Sequence, residues 1–288
     1  METPGALFDS YYYQHNCGNP YQRNEMWLNF FGAIARRIKD EVQPASVLDA
    51  GCAMGFLVES LRVEGVEAYG VDISEYAIQK AHESIQPYVA VGSITQPFAR
   101  KYDLIVSIEV LEHLSKADAE AAIANLCQHT DDILFSSTPF DYREVTHYNV
   151  QPPDYWMEQF ARYGFIRDLD YDASYITAWA VRLRRRREPL QRIVREYDRR
   201  LWLLNKENQD LRALSQEKQN EVVAGQQLLA AREQHIADLK AHILELEKRW
   251  NDQEGSTAWR AVRWMQGLRL KLIPLNSRRE RLLKKFLR

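Results

Sequence analysis

The chain has 288 residues, 45% of them hydrophobic and 27% charged, enough apolar material for a globular core beside an exposed helical part. The formal net charge of −2 gives the molecule no general attraction for nucleic acid. Its three cysteines, Cys17, Cys52 and Cys127, form no C-x-x-C pair, which argues against a disulfide framework or a zinc knuckle and for a reducing compartment.

The N-terminus, METPGALFDSYYYQ, lacks a basic stretch followed by an apolar one, so no signal peptide is expected. No apolar run is long enough to span a bilayer. Residues 1–40 are aromatic-rich and end in a helical pattern with Trp27, Phe30, Phe31 and Ile34 on one side. This segment reads as a lid with Tyr12, Tyr21 and Arg23 as candidate contacts, or as an aromatic strap on a sheet edge.

From residue 41 to 187, apolar runs alternate with helical patterns. Strands are predicted over 47–50, 68–73, 88–92, 103–110 and 132–137. Helices are predicted over 54–65, 75–84, 117–129 and 153–164. The strands are apolar runs without strict alternation, the pattern of a parallel sheet covered on both faces. The last two runs, 165–172 and 174–184, lie too close for a crossover helix and should pair as an antiparallel hairpin.

The densest motif is Val47-Leu48-Asp49-Ala50-Gly51-Cys52-Ala53-Met54-Gly55. A strand runs into a glycine turn and then a helix, so backbone N–H groups face a ligand that a side chain at Gly51 would block. The turn is G-x-x-x-G, without the third glycine of dinucleotide folds. Asp49 would repel a pyrophosphate but suits an ammonium group. About twenty residues on, Asp72 ends the second strand, where a carboxylate can accept hydrogen bonds from both ribose hydroxyls. As a structural alternative, both acids are turn or cap carboxylates.

Together with Tyr102-Asp103-Leu104-Ile105-Val106 and Glu109-Val110-Leu111-Glu112-His113, these residues resemble the class I S-adenosylmethionine (SAM)-dependent methyltransferases. The resemblance covers about residues 40–185. It implies an α/β, Rossmann-like, seven-stranded sheet with an antiparallel final hairpin, and SAM as cofactor. By position it implies Asp49, Gly51, Cys52 and Gly55 in the first motif, and Asp72 with Ile73 at the ribose. Ser93 and Ile94 fall at the adenine contact, where the family often has Asp, and Glu109 at the methionyl part. Candidate bases are His147, in the long loop after the fifth strand, and His113, which could instead start a helix and orient the SAM loop. No convincing set of carboxylates suggests a metal site. A nicotinamide dehydrogenase ranks far below, since the third glycine is missing.

Residues 188–252 form a third zone. A 3-4 spacing runs from Leu201 through Leu204, Asn208, Leu211, Ser215, Lys218, Val222, Gly225, Leu229, Arg232, Ile236, Leu239, Ile243 and Leu246 to Trp250, with ten of the fifteen positions apolar. This predicts a coiled coil about 75 Å long at ~1.5 Å per residue, with a parallel homodimer as first choice and a single solvated helix as the alternative. Residues 253–288 are a basic amphipathic tail. Ten Lys/Arg face one acid, Glu280, from Ser256 to Arg288, interleaved with Trp259, Trp264, Leu268, Leu270, Leu272, Ile273 and Phe286. Such a segment suits an anionic membrane surface, ahead of nucleic acid or a partner helix.

The run from Asp141 to Phe165, the aromatic N-terminus and the tail ending IPLNSRRERLL resemble bacterial methyltransferases associated with surface-polysaccharide synthesis. That resemblance implies O-methylation of a sugar or glycan-lipid intermediate, in the cytoplasm or at the inner membrane face. The alternatives are a small-molecule or quinone methyltransferase and a non-catalytic coiled-coil scaffold in a polysaccharide assembly complex.

Overall fold

The computed structural model describes residues 4–286. Residues 1–3 of the expected N-terminal cover, residues 287–288 of the expected tail and the side chain of Phe286 lie outside the described residues. Two compact units are formed, Met1–Leu201 and Trp202–Arg288.

The first unit opens with a 3-10 turn, then α1 (Ser10–His15), capped by Asp9, and α2 (Glu25–Arg37), capped by Asn24. β1 (Ser46–Ala50), α3 (Phe56–Val63), β2 (Glu67–Asp72), α4 (Glu75–Gln79) and β3 (Val89–Val91) follow. Next come β4 (Leu104–Ile108), α5 (Lys116–His129), β5 (Asp132–Ser136), α6 (Pro153–Ala161), β6 (Phe165–Arg167) and β7 (Val181–Arg185). The sheet order is β3-β2-β1-β4-β5-β7-β6, with β7 antiparallel to both neighbours and the other pairings parallel. The seven-stranded sheet with an antiparallel end is the expected one.

Successive residues of the central strands point to opposite faces and feed two separate cores. Val47, Leu104, Val106 and Leu134 pack with Ile34 of α2, Phe56 and Leu61 of α3 and Ile78 of α4. Leu48, Ile105, Ile133 and Phe135 pack with Ile123 and Leu126 of α5 and with Trp156 and Phe160 of α6. Burial on both faces explains why these strands are unbroken apolar runs.

Two elements are shorter than the sequence predicts. α4 stops at Gln79, and residues 80–85 form turns in which His82 Nδ1 meets Ser84 Oγ at 2.8 Å. The terminal pair is also abbreviated, since residues 168–180 leave the sheet. Its side chains have other partners: Ala173 and Ile176 enter the core, and the Tyr171 and Tyr175 hydroxyls bond each other at 2.7 Å. The Arg37 guanidinium lies 4.4 Å from the Tyr175 ring centre. These contacts override the local strand propensity.

The last helix of the first unit begins α7 (Leu190–Gly255), whose Ile193 is buried. α7 has no break at Gly225, and its ten apolar heptad positions, Leu201 in the first unit and nine in the second, are 48–60% exposed. α8 (Thr257–Leu272), capped by Ser256, and α9 (Arg278–Phe286) follow. Among the described residues no helix is long and apolar enough to cross a membrane.

Gly70 of β2 has no room for a side chain: a Cβ there would lie 2.6 Å from Cys52 Sγ and 2.8 Å from its Cβ. Gly70→Ala should therefore destabilise the first unit by about 1–3 kcal/mol through overpacking. Urea unfolding of the full chain checks this, and an unchanged midpoint would contradict the packing.

Candidate active site

The loops at the carboxyl ends of β1, β2, β4 and β5 enclose a cavity of about 870 Å³, within the range of small-molecule sites. Of the residues singled out from sequence, Asp49, Gly51, Cys52, Asp72, Ile73, Ser93, Ile94, Glu109, His113, His147 and Tyr21 all line it. Gly55 and Arg23 do not. Gly55 is the left-handed residue (φ 74°) that starts α3, set against Ile85. Arg23 spends its guanidinium on Glu59 of α3, at 2.6 Å. Both are structural supports of the glycine turn and the N-terminal cover, away from the cavity wall.

Gly51 has φ 93°, and a Cβ there would collide with Val110, the residue after Glu109. The glycine turn and the β4 exit loop thus press together at a point only glycine permits. The Cys52 side chain turns inward against Gly70, so what Cys52 offers the cavity is chiefly backbone.

Asp72 is buried, and its two oxygens accept from Ala53 N–H and Ser74 N–H, each at 2.8 Å. One carboxylate therefore ties the glycine turn to the start of α4. Burial raises its pKa, while the backbone donors pull it down. Among the described residues Asp49 has no such donors. Burial pushes its carboxyl up to about 8, and the Asp72 charge adds to the shift. An electron-rich pair in a closed site is suited to a ligand with a positive end and vicinal hydroxyls. The bare glycine turn beside it leaves the backbone exposed to that ligand, so these residues fit SAM. Ser93 is less free than expected, since its hydroxyl is shared with Thr95 Oγ1 at 2.8 Å.

The N-terminal segment covers the cavity. Phe8 O accepts from Ser74 Oγ at 2.6 Å. Tyr13 stacks on Tyr76, and Tyr21 stacks on Phe56 at 4.8 Å. Asn16 Nδ2 donates to Glu144 at 3.1 Å, joining the cover to the loop after β5.

A second wall comes from the β4 exit and the β5 loop. Glu109 holds a left-handed backbone (φ 53°) and accepts from Trp179 Nε1 at 2.9 Å. Strain at a non-glycine residue of this kind concentrates at functional sites. Glu112 is fully buried, with Oε1 accepting from Thr138 N–H at 3.3 Å and Oε2 without a partner. Burial and the nearby Glu109 charge raise its pKa well above the carboxylate range. The His113 and His147 rings lie 4.6 Å apart. Burial, then the neighbouring His147, lowers the His113 pKa to about 4, so it is neutral near pH 7. His147 Nδ1 lies 2.8 Å from the Asp141 carbonyl, which only accepts, so Nδ1 carries the proton and Nε2 keeps its lone pair.

Sequence reasoning named His113 and His147 but missed Glu112, Trp179 and Phe8. Glu112 stood inside a recognised motif, and its neighbour His113 was the available signal. Phe8 lay in the aromatic segment read as a lid but outside its named contacts, and Trp179 sat in a run read as a strand.

Residues 22–168, just over half of the chain, match the methyltransferase-domain family. The chain belongs to that family. Over 98 residues it is 36% identical to the magnesium-protoporphyrin O-methyltransferase of Synechocystis sp., covering 32% of this chain and 43% of that protein. Over 133 residues it is 30% identical to a ubiquinone biosynthesis O-methyltransferase of Acinetobacter baumannii, covering 43% of this chain and 53% of that one. The chain thus spans about half the length of the curated relatives it matches. Among solved structures, it is similar to magnesium protoporphyrin IX methyltransferase from Synechocystis with bound SAM, at TM-score 0.48 and 20% identity, covering 65% of this chain and 99% of that one. An amino pentose methyltransferase from Micromonospora echinaspora aligns at TM-score 0.45 and 15% identity, covering 56% and 92%.

Asp49 holds its proton in the ligand-free fold up to about pH 8, whereas in the unfolded chain it ionises near pH ~4. The folded state binds more protons across that window, so stability falls as pH rises through it. Asp49→Asn removes this slope. Its Tm at pH 8 should exceed the wild type's by several degrees, at roughly 2–4 °C per kcal/mol, and the two should converge at acid pH. Equal Tm values at pH 8 would show that the raised carboxyl carries no penalty.

Proposed function

We propose that this chain is an O-methyltransferase acting on a hydroxyl of a sugar or glycan-lipid intermediate in bacterial surface-polysaccharide synthesis. The observation that carries O-methylation is the meeting, in one cavity, of the strand-end acids Asp49 and Asp72 with a neutral His113 and a His147 whose Nε2 is free. Asp49 would hold the ammonium group of the cofactor and Asp72 its ribose, with Gly51, Cys52, Ile73, Ser93, Ile94 and Glu109 around it and Tyr21 covering it. SAM, when bound, supplies a methyl group already activated on a sulfonium. The chain's own task is then to align the acceptor oxygen, exclude water and manage one proton. His147, or His113 beside it, takes the hydroxyl proton as the oxygen forms its new bond to carbon and the carbon–sulfur bond breaks.

The glycan acceptor rests on the resemblance of the Asp141–Phe165 run and the tail. A quinone or other small phenolic acceptor is the second reading, favoured by the similarity to ubiquinone biosynthesis O-methyltransferases. Phe140 of the loop after β5 lines the cavity and offers an apolar acceptor a ring to pack on.

The exposed apolar seam of α7 supports a parallel homodimer. The α8–α9 region, with exposed Trp264, Met265, Leu270 and Leu272 among its arginines and lysines, supports peripheral contact with an anionic inner-membrane face. Nucleic acid ranks below both.

Calorimetric titration with SAM should give saturable binding that Asp72→Ala loses. A folded, ligand-free sample that binds none would overturn the proposal. His147→Ala should lower kcat by about 10²–10⁴-fold with SAM affinity unchanged, and unchanged turnover would remove His147 as the base. Sedimentation of the full chain should give twice the 33.7 kDa monomer mass, and a monomer would make α7 a solvated single helix. Flotation with phosphatidylglycerol vesicles should capture the chain, less so at high salt.

A further inference from the structure

The second wall of the cavity places three electron-pair donors together with nothing among them to share. Glu112, His113 and His147 each present a ligand atom within 4.8 Å of the others. Each is oriented from behind. Glu112 Oε1 accepts from Thr138 N–H at 3.3 Å, while Oε2 is buried with no partner. Thr146 Oγ1 donates its hydrogen to Glu144 at 3.1 Å and so receives the His113 Nδ1–H at 2.9 Å. The His147 Nδ1–H goes to the Asp141 carbonyl at 2.8 Å. Both imidazoles are thus held as the tautomer that leaves Nε2 with a lone pair. Among the described residues the Tyr12 hydroxyl is the hydrogen-bond partner of the His113 Nε2, at 3.4 Å.

An orphaned buried carboxyl oxygen costs free energy, whether or not Glu112 keeps its proton. A proton between two of them leaves the third unsatisfied. A cation satisfies all three. Ring N–H groups bonded to a carbonyl and to a carboxylate-backed hydroxyl are the arrangement that orients histidine ligands in metal sites. A divalent first-row ion at ~2.0–2.2 Å from each ligand draws the atoms inward by about 1 Å, within the reach of side-chain rotation. Two imidazoles and one carboxylate suit Zn²⁺, Fe²⁺, Co²⁺ or Mn²⁺ better than Ca²⁺, and leave coordination positions open.

We propose that Glu112, His113 and His147 form a divalent transition-metal site in the acceptor half of the cavity, and that the acceptor hydroxyl binds the ion. This rests on the O-methyltransferase reading and deepens it. The ion lowers the pKa of the bound hydroxyl. The O–H bond breaks and its proton leaves to water. The oxygen takes the methyl carbon as the carbon–sulfur bond breaks, leaving a neutral thioether, one methyl ether and one proton. The histidines then hold the ion rather than the proton. An acceptor with two adjacent oxygens, a diol or a catechol, fits the open positions best.

The test starts from full-length protein stripped with dipicolinate. Co²⁺ titration, followed by visible ligand-field absorption, should saturate at one ion per chain. His147→Ala should weaken that binding at least about tenfold, with SAM affinity by calorimetry unchanged. Glu112→Gln, which keeps the Thr138 bond, should do the same, and each variant's Tm establishes that it is folded. Absence of saturable Co²⁺ binding, or equal binding by the wild type and folded His147→Ala, overturns the site. Stripped protein should lose methyl transfer to a catechol probe and regain it with Mn²⁺ or Zn²⁺. Undiminished transfer without metal overturns the ion's role and leaves proton transfer to His147 standing. Failure to bind SAM, with Co²⁺ binding intact, sinks the methyltransferase reading and spares the site.

Discussion

Two carboxylates are buried at the carboxyl edge of a parallel sheet. Asp49 pairs in register with Gly70, and Asp72 closes the same strand two residues on. Burying charge is unfavourable unless hydrogen bonds or a partner compensate it. Asp72 is compensated from within, by the Ala53 and Ser74 N–H groups. Asp49 is not, and its raised pKa is the measure of that. The surrounding structure follows from holding this pair in place. Ala53 adopts a left-handed backbone to reach Asp72, Ser74 caps α4 and anchors Phe8, and Gly51 gives way to Val110. The free fold is therefore kept in a less stable electrostatic state that a cationic ligand relieves, the familiar trade of stability for function.

The second wall obeys a similar logic with different chemistry. The Glu109 backbone is strained, Glu112 keeps an unpaired oxygen, and both histidines are locked by their Nδ1 protons. The strained backbone and the unpaired oxygen cost the fold stability. Their supports come from three separate stretches, the β4 exit, the β5 loop and the N-terminal cover, which meet only because each overhangs the same sheet edge. The Asn16–Glu144 bond links the cover to the loop, so ordering one favours ordering the other.

The long helix answers a different requirement. Its interior seam is half exposed at every apolar heptad position, whereas its flanks carry i,i+4 pairs such as Arg192–Glu196 and Glu245–Arg249. Such pairs contribute only a few tenths of a kcal/mol each. Helices of this length gain most of their stability from packing an apolar stripe, and the homodimer proposed above would supply that packing for the seam. The polar positions Asn208, Ser215, Lys218 and Arg232 interrupt that stripe and bear on register more than on strength.

Much of this protein is written in local pattern. The buried strands are apolar runs, the helices start at Asn24, Ser74 and Ser115 caps, and the glycine turn, Asp72 and the Glu109–His113 segment stand at readable spacings. Periodicity and capping are short-range physics, so a sequence displays them. Other facts depended on chain segments meeting in space. Residues 168–180 have strand-like composition, but Ala173, Ile176 and Trp179 found partners outside the sheet. Arg23 was drawn to Glu59 and away from the cavity. Glu112 reads as an ordinary motif acid until Thr138 and the His113–His147 pair are placed around it. The sequence by itself determined the sheet, the cofactor turn and the heptads, because each is set by neighbours a few residues away. Only the tertiary structure decided which acid stays uncompensated and which lone pairs converge, because burial and electrostatics belong to the assembled fold.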